Sequence, residues 1–228
     1  MSTAVCPVPL APAVTRWLAS VRVRGVRVVQ GPAPAGERVT FVVGESDAAC
    51  DIARLVATHG LEHSRVLVLS RLGAHPDARA ASLRALWTLE EAARASGAPT
   101  LTLRTAPAVS EDAPLWALLR TRPALPGQGR RLVEPVHEQD VVATLVQALD
   151  GRDWPTGTNW YELVGPDRMT WAELAECALA GPHGTASPAW EPAFEELMDS
   201  RLSEYEPWAT DFAVVPTRIP TWARGEVA

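Results

Sequence analysis

Two side chains that could carry out acid–base chemistry follow one buried strand. Ser70 ends the apolar run of residues 66–69, and His75 lies in the loop that comes next. A hydroxyl at a strand end can polarise a carbonyl group, and a loop imidazole can act as a general acid or base near neutral pH. Each also has a structural interpretation, because Ser70 could bond to the backbone and His75 could be a solvated turn residue beside Pro76. Both residues are predicted here to be catalytic.

Polar and aromatic residues near the same two strands could bind a substrate. Arg71 and Thr105 end neighbouring strands, and Arg104 could clamp an anionic group or form a structural ion pair. Trp87 and Trp116 suit the wall of an aromatic pocket, although tryptophans at helical spacing are more often core residues. All five are predicted to bind the substrate.

His137 and Asp140 form a third candidate site. Together they resemble an oriented acid–base pair, and they also stand where a helix begins, so that capping is the alternative role. His137 is predicted to be catalytic. We expect no metal site, because no group of His, Cys, Asp and Glu has the spacing of metal ligands.

The elements around Ser70 predict a parallel βαβ unit. A strand over 65–70, a helix over 78–96 that ends at Gly97, and a strand over 100–105 follow one another. In open α/β sheets ligands bind beyond the carboxyl ends of the strands, which is where Ser70 and Thr105 lie.

Further elements are predicted on both sides of this unit. Additional strands are expected near 26–30, 38–43 and 159–164, which gives an α/β fold with a mostly parallel, doubly wound sheet of five or six strands. Ser46 or Asp47 is expected to cap a helix that carries Ile52 and Val56. The C-terminal part is expected to hold a helix over 191–203 and an irregular tail to Ala228.

Four segments resemble a known family when they are taken in order. They read RVLVLSRLGAHPD, EEAARASGAPTLTLRT, EPVHEQDVVATLVQAL and NWYELVGPDRMTWAELAE, and with the residues between them they span roughly 38–180. This order is similar to the NmrA-like, atypical branch of the short-chain dehydrogenase/reductase family. The resemblance implies a Rossmann-like core over 1–150, and a last strand with an abbreviated C-terminal substrate lobe over 151–228, in one compact unit.

The chain departs from that family where the nicotinamide cofactor would bind. The glycines of the family's first turn correspond to Pro7, Leu10 and Ala13. The positions of the catalytic tyrosine and lysine fall near Ser82 and Leu86, and the sequence has no lysine at all. We therefore expect no cofactor and no cofactor-binding residues of the family type.

The second strand leads too directly into the third. The linker over 31–36 is too short for the helix that ordinarily joins parallel neighbours, so one βα unit is expected to be shortened. The sequence leaves open whether the strand near 26–30 matches the family's second or third strand.

Composition limits the partners. A chain of 228 residues with a net charge of −6 argues against binding to nucleic acid or to an anionic membrane. Cys6, Cys50 and Cys177 are few, odd in number and far apart, as expected of free thiols in the cytoplasm. No apolar run approaches the length of a membrane span, and no secretory signal is recognised.

The sequence is compatible with three functions, of which the first two belong to different classes. The first is a cofactor-independent enzyme that cyclises, isomerises or dehydrates a small aromatic or polyketide-like intermediate of specialised metabolism, a substrate class that we expect by analogy. The second is an NmrA-like ligand-sensing or partner-binding protein, in which a Trp-rich surface in the region 154–222 would form an interface. A third is an oxidoreductase with an altered phosphate loop. A small-molecule substrate is the expected partner, and a homodimer stays open.

Overall fold

A parallel sheet of six strands forms the centre of the protein. The computed structural model describes residues 3–44, 50–150, 154, 160–188 and 202–226. The sheet has the order β2-β1-β3-β4-β5-β9, and every pairing in it is parallel. Its strands are β1 (Thr3–Cys6), β2 (Arg27–Gln30), β3 (Val39–Gly44), β4 (Ser64–Arg71), β5 (Thr100–Thr105) and β9 (Trp160–Leu163). The predicted fold class and strands are confirmed.

Helices cover both faces of this sheet. They are α1 (Pro12–Val23), α2 (Ile52–His59), α3 (Ala81–Ala95), α4 (Pro114–Leu119), α5 (Glu138–Leu149), α6 (Trp171–Ala180), α7 (Glu206–Asp211) and α8 (Ile219–Ala223). Because side chains alternate along a strand, Leu67 and Leu69 pack into the core beneath α1 and α5. Val66 and Val68 pack into the opposite core beneath α2 and α3. The sheet is therefore doubly wound.

The cap of α2 differs from the prediction. Asp51 is the N-cap residue, and its carboxylate accepts a hydrogen bond of 3.0 Å from the backbone N–H of Arg54. The predicted caps, Ser46 and Asp47, lie outside the described residues.

The short linker after β2 is possible because β2 and β3 are not neighbours. Both pair with β1, one on each side, so the linker crosses the face of β1 without a helix. Ala33 packs against the core on that face, and the Glu37 carboxylate accepts hydrogen bonds from Thr3 and Arg27. In the common dinucleotide-binding order 3-2-1-4-5-6, β2 takes the position of the second strand. The unit that would carry the third strand is the shortened one.

A small lobe packs beside the carboxyl end of the sheet. Its core contains Trp116, Trp171 and Ile219, which come from α4, α6 and α8. Two short ladders border it: β6 (Ala108–Val109) with β8 (Val136–His137), and β7 (Leu132–Val133) with β10 (Met169–Thr170). The lobe thus draws on residues before 150 as well as after it.

The prediction of an irregular C-terminal tail is wrong. Residues 206–211 and 219–223 form α7 and α8, and each has a proline in its first turn. Trp208 is buried and its indole N–H donates a hydrogen bond of 3.1 Å to the Val164 carbonyl. Burial of such side chains holds helices that are too short to be stable alone. The predicted helix over 191–203 lies almost wholly outside the described residues.

Candidate active site

A cavity lies where the carboxyl ends of β4 and β5 face the first turns of α1. It has a volume of about 80 Å³ and is lined by Ala11, Ala13, Val14, Arg16, Trp17, Leu69, Ser70, Arg71, Leu72, Leu83, Leu86, Thr105, Ala106, Pro107, Ala108, Ala113, Pro114, Leu115 and Glu138. The chain reverses its direction across the sheet between β1 and β3, and ligands of such sheets bind near that switch point. Most of the lining is apolar, so that the few polar groups in it stand out.

One hydroxyl of this lining, that of Ser70, is buried without a hydrogen bond to any described residue. The residue is 2% exposed, and its Oγ has no partner among the described residues. The adjacent Thr105 hydroxyl donates a hydrogen bond of 3.2 Å to the Ser70 carbonyl, which links β4 to β5. Buried hydroxyls are nearly always paired, so a vacant one in a cavity is available to a ligand.

Glu138 forms the polar wall of the cavity. Its Oε1 accepts hydrogen bonds from Arg16 Nη2 at 2.9 Å and from Trp17 Nε1 at 3.1 Å, and its Oε2 accepts one from Ser110 Oγ at 2.6 Å. As the first residue of α5, Glu138 also lies at the positive end of the helix dipole. These contacts hold the carboxylate in place and join α1 to α5.

No pattern in the sequence predicts the contact between Glu138 and the residues of α1. Arg16 and Glu138 are separated by 122 positions, so no local pattern brings them together. The charged residue Arg16 stands next to the buried Trp17 in α1, and this is the signal from which a buried ion pair could have been predicted.

Of the predicted site residues, Ser70, Arg71 and Thr105 line the cavity. Arg71 is half-buried there, and Thr105 is buried. The Thr105 hydroxyl already bonds to the Ser70 carbonyl, which leaves Ser70 as the side chain best placed to meet a substrate.

His75 does not share that cavity. Its ring is 40% exposed, and its Nδ1 accepts a hydrogen bond of 3.1 Å from the backbone N–H of Asp77. Leu72 and Ala74 are buried on either side of Gly73, which has a φ of 93°. This tight turn carries the histidine away from the strand end, so the two residues predicted to be catalytic, Ser70 and His75, do not line the same cavity.

Arg104 and Trp87 lie on the α3 face of the sheet, outside the cavity. Strand alternation puts Arg104 on the side opposite Thr105. Its guanidinium bonds to both carboxylate oxygens of Glu90 at 3.0 and 2.6 Å, and it lies 5.6 Å from the ring of Trp87 and 5.1 Å from that of Trp160. The ion pair that was the alternative role of Arg104 is therefore present.

His137 and Trp116 belong to the small lobe. Trp116 is fully buried and its indole N–H donates a hydrogen bond of 3.1 Å to the Pro182 carbonyl. The Trp222 ring lies between the two residues, 4.8 Å from that of Trp116 and 4.6 Å from that of His137. Neither residue lines the cavity around Ser70.

The His137 ring caps α5. Its Nδ1 accepts a hydrogen bond of 3.3 Å from the backbone N–H of Gln139, so the hydrogen of the neutral ring is assigned to Nε2. That Nε2 is buried and has no partner among the described residues. Burial lowers the pKa of His137, against the opposing charges of Asp140, Glu111 and Glu138.

Asp140 holds the C-terminal segment rather than the imidazole. Its carboxylate accepts hydrogen bonds from the backbone N–H of Thr217 at 2.7 Å and from the Thr217 hydroxyl at 2.9 Å. Burial raises the pKa of Asp140, and the two bonds from Thr217 act against that rise.

Several solved enzyme structures share this architecture. One is TunA, an NAD-dependent NDP-hexosamine 5,6-dehydratase involved in tunicamycin biosynthesis, with a TM-score of 0.63 at 12% identity over 98% of this chain and 95% of the other. A UDP-glucose 4-epimerase from Thermotoga maritima gives 0.60 at 12% identity over 98% and 96%. WbmG from Bordetella bronchiseptica, solved with NAD, gives 0.63 at 12% identity over 99% and 92%.

These similarities show that the fold of this chain, a parallel Rossmann-like sheet with helices on both faces, is shared with those enzymes. No protein-family model matches the sequence, and no curated protein matches it. The fold is therefore shared while the sequence has diverged widely.

The turn from β1 to α1 does not fit a dinucleotide pyrophosphate. That group needs backbone N–H donors and close approach at the helix N-terminus. Pro7, Pro9 and Pro12 have no N–H to donate. Ala13, which stands at the third glycine position of the resemblance, lines the cavity with its neighbour Ala11.

The other two contact regions do not fit the cofactor either. Strand β2 ends at Gln30 and is followed by Gly31 and Pro32, and none of these three residues offers a charged side chain to a ribose. On α3, Ser82 is half-buried, and Leu86 is buried and lines the cavity. The described residues of these three regions therefore do not supply the contacts that a nicotinamide dinucleotide needs in its usual position.

Proposed function

We propose that this protein is a non-redox enzyme on a short-chain-dehydrogenase scaffold. It acts on a small aromatic or polyketide-like intermediate of specialised metabolism, by cyclisation, isomerisation or dehydration. The reaction takes place in the cavity between α1, β4 and β5, without a nicotinamide cofactor, and depends on positioning and acid–base groups.

The single observation that carries this proposal is the unpaired hydroxyl of Ser70 in an apolar cavity. A buried hydroxyl without a hydrogen bond costs about 1–3 kcal/mol, and a bound carbonyl group would remove that cost. Leu83, Leu86 and Leu115 supply the apolar surface for the body of the ligand. Ser70 would polarise the carbonyl, as a positioned donor does in many enzymes.

The size of the cavity sets a condition on binding. Its volume of about 80 Å³ is below the roughly 300–1,000 Å³ of typical ligand pockets. A ring system therefore needs side chains of the lining to move, and the ligand is expected to be small.

Turnover without added cofactor is the test. The protein is incubated with an extract of small aromatic and polyketide metabolites from its native host, and mass spectrometry detects isomeric products or products that have lost water. Ser70→Ala should slow product formation about 100-fold, typical of losing one positioned polar group. His75→Ala serves as the comparison and should stay within about threefold, because its ring lies outside the cavity.

Two results would contradict the proposal. Equal turnover by wild type and Ser70→Ala would remove the cavity from the mechanism. Product formation that requires added NAD(H) or NADP(H) would favour the altered oxidoreductase instead.

A binding protein without catalysis is the second candidate, and one surface favours it. Trp160 is 46% exposed, and the Arg104 guanidinium lies 5.1 Å from its ring and 5.6 Å from that of Trp87. Tryptophan and arginine are common anchors of protein interfaces. If this surface carries the function, Trp160→Ala should abolish partner binding while Ser70→Ala leaves it intact.

A further inference from the structure

We propose that Glu138 anchors a hydroxyl group of the ligand in the cavity. The ligand would then be a phenol or enol that also carries a carbonyl group for Ser70. This inference rests on the proposed function and narrows its substrate class.

The carboxylate of Glu138 has room for one more donor. It is the only carboxylate among the described residues that line the cavity. Its described donors are Arg16 and Trp17 at Oε1 and Ser110 at Oε2. An ionised carboxylate can accept about four hydrogen bonds, so Oε2 keeps an acceptor position beside Ser110.

The surroundings of Glu138 make this acceptor both fixed and charged. Its side chain is 13% exposed, and the Arg16 guanidinium lies 2.9 Å away. Because Arg16 and Trp17 of α1 both bond to Glu138 at the start of α5, the carboxylate cannot turn without breaking these hydrogen bonds. A hydrogen bond to a fixed, ionised acceptor is stronger than one to a neutral acceptor.

The remaining lining selects the body of the ligand. Leu83, Leu86, Leu115, Ala106 and Pro114 are apolar, and the unpaired Ser70 hydroxyl is a second polar point in the same cavity. A flat hydrocarbon body with a hydroxyl group for Glu138 and a carbonyl group for Ser70 satisfies both. Hydroxylated aryl ketones and their enol equivalents have this pattern.

Three related probes test the assignment without knowledge of the natural substrate. Para-hydroxyacetophenone carries both groups, acetophenone carries the carbonyl alone, and para-ethylphenol carries the hydroxyl alone. Their dissociation constants are measured by NMR titration with wild type, Glu138→Gln and Ser70→Ala. Glu134→Gln is the matched control, because Glu134 is a carboxylate at a buried position that pairs with an arginine, Arg168, outside the cavity.

The expected pattern is specific to each residue. Wild type should bind para-hydroxyacetophenone about tenfold or more tightly than acetophenone, the gain expected from a hydrogen bond to a charged group. Glu138→Gln should reduce that preference to about twofold, whereas Glu134→Gln should keep it. Ser70→Ala should instead remove the preference over para-ethylphenol.

The failures of the two proposals look different. Equal affinity of wild type for para-hydroxyacetophenone and acetophenone, with Ser70 still required, overturns the role of Glu138 and leaves the proposed function standing. This comparison needs no variant, so it holds even if Glu138→Gln does not fold. Absence of binding by all three probes overturns both.

Discussion

At the scale of single residues, the chain keeps polar groups where they lower its stability. Ser70 has a buried hydroxyl without a partner, and His137 has a buried Nε2 without one among the described residues. Unpaired buried polar groups are uncommon in folded proteins and ask for an explanation. A ligand that pairs with Ser70 is the explanation that the cavity offers.

The unpaired hydroxyl predicts that Ser70→Ala stabilises the protein. Removing it should raise the free energy of unfolding by about 1 kcal/mol, since no hydrogen bond is lost. Thr105→Val is the matched control at the neighbouring strand, and should lower that free energy by about 1 kcal/mol, because the Thr105 hydroxyl does donate to Ser70. Urea denaturation measures both changes. A destabilised Ser70→Ala would mean that the hydroxyl has a partner after all.

The buried imidazole of His137 predicts a dependence of stability on pH. Its pKa is lower in the folded protein than in the unfolded chain, so below about pH 6.5 the unfolded chain takes up a proton that the folded ring resists. Stability should therefore fall as the pH decreases from neutrality toward the folded-state pKa. Asp140, whose pKa is raised, acts in the opposite sense at lower pH.

His137→Asn isolates this contribution. Asparagine can accept the capping hydrogen bond from Gln139 but does not titrate. Denaturation curves at about pH 7.5 and 5.5 should differ less for His137→Asn than for wild type. The same difference in both proteins would assign the pH dependence to other groups.

Residue types at strand ends could be predicted from sequence, but their directions only in part. The sequence predicts Ser70 and Thr105 at the site because each follows the apolar residues of a buried strand. Arg104 precedes Thr105 by one position, and strand alternation sends it to the other face. The partnership of Glu138 with Arg16 depends on the packing of α5 against α1, and no local pattern contains that information.

At the scale of elements, α5 organises both the cavity and the C-terminal segment. Glu138 in its first turn forms the polar wall, and Asp140 in the same turn holds Thr217. Asp167 holds the start of α8 in a similar way, with a hydrogen bond of 2.8 Å from the backbone N–H of Ile219. The segment around α8 is thus held by two carboxylates, Asp140 in α5 and Asp167 in the loop after β9.

Asp140→Ala should release the C-terminal segment. It leaves the backbone N–H and hydroxyl of Thr217 without their acceptor, at a cost of about 1–3 kcal/mol. Hydrogen exchange should speed up in α8 more than in the strands of the sheet. Glu226→Gln is the control, because its ion pair with Arg224 is exposed and should not affect exchange in α8. Unchanged protection of α8 in Asp140→Ala would rule out this attachment.

The long helices and the buried strands can be predicted from the sequence, whereas the short helices α7 and α8 cannot. The strands and the helix after Ser70 have clear apolar periodicity, whereas α7 and α8 are too short to establish a period. Pro207 and Pro220, each in the first turn of its helix, were the available signals. Their stability comes from the burial of Trp208 and Ile219 against the rest of the chain.

At the scale of the whole molecule, a Rossmann-like fold is combined with three regions whose described residues do not suit a dinucleotide. The sheet lacks a third-strand unit beyond β2, and the linker over 31–36 crosses β1 instead. The first turn is filled by prolines and alanines, and α3 has a leucine where the resemblance places the lysine. No described helix is long and apolar enough to span a membrane.

Calorimetric titration with NAD⁺, NADH, NADP⁺ and NADPH tests this most directly. The usual affinity comes from pyrophosphate, ribose and nicotinamide contacts, and the chain lacks the matching residues for all three. Losing several charge-assisted hydrogen bonds of roughly 1.5–3 kcal/mol each should move the dissociation constant into the millimolar range or weaker. A dissociation constant below about 50 μM for any of the four would contradict the non-redox function proposed for this protein.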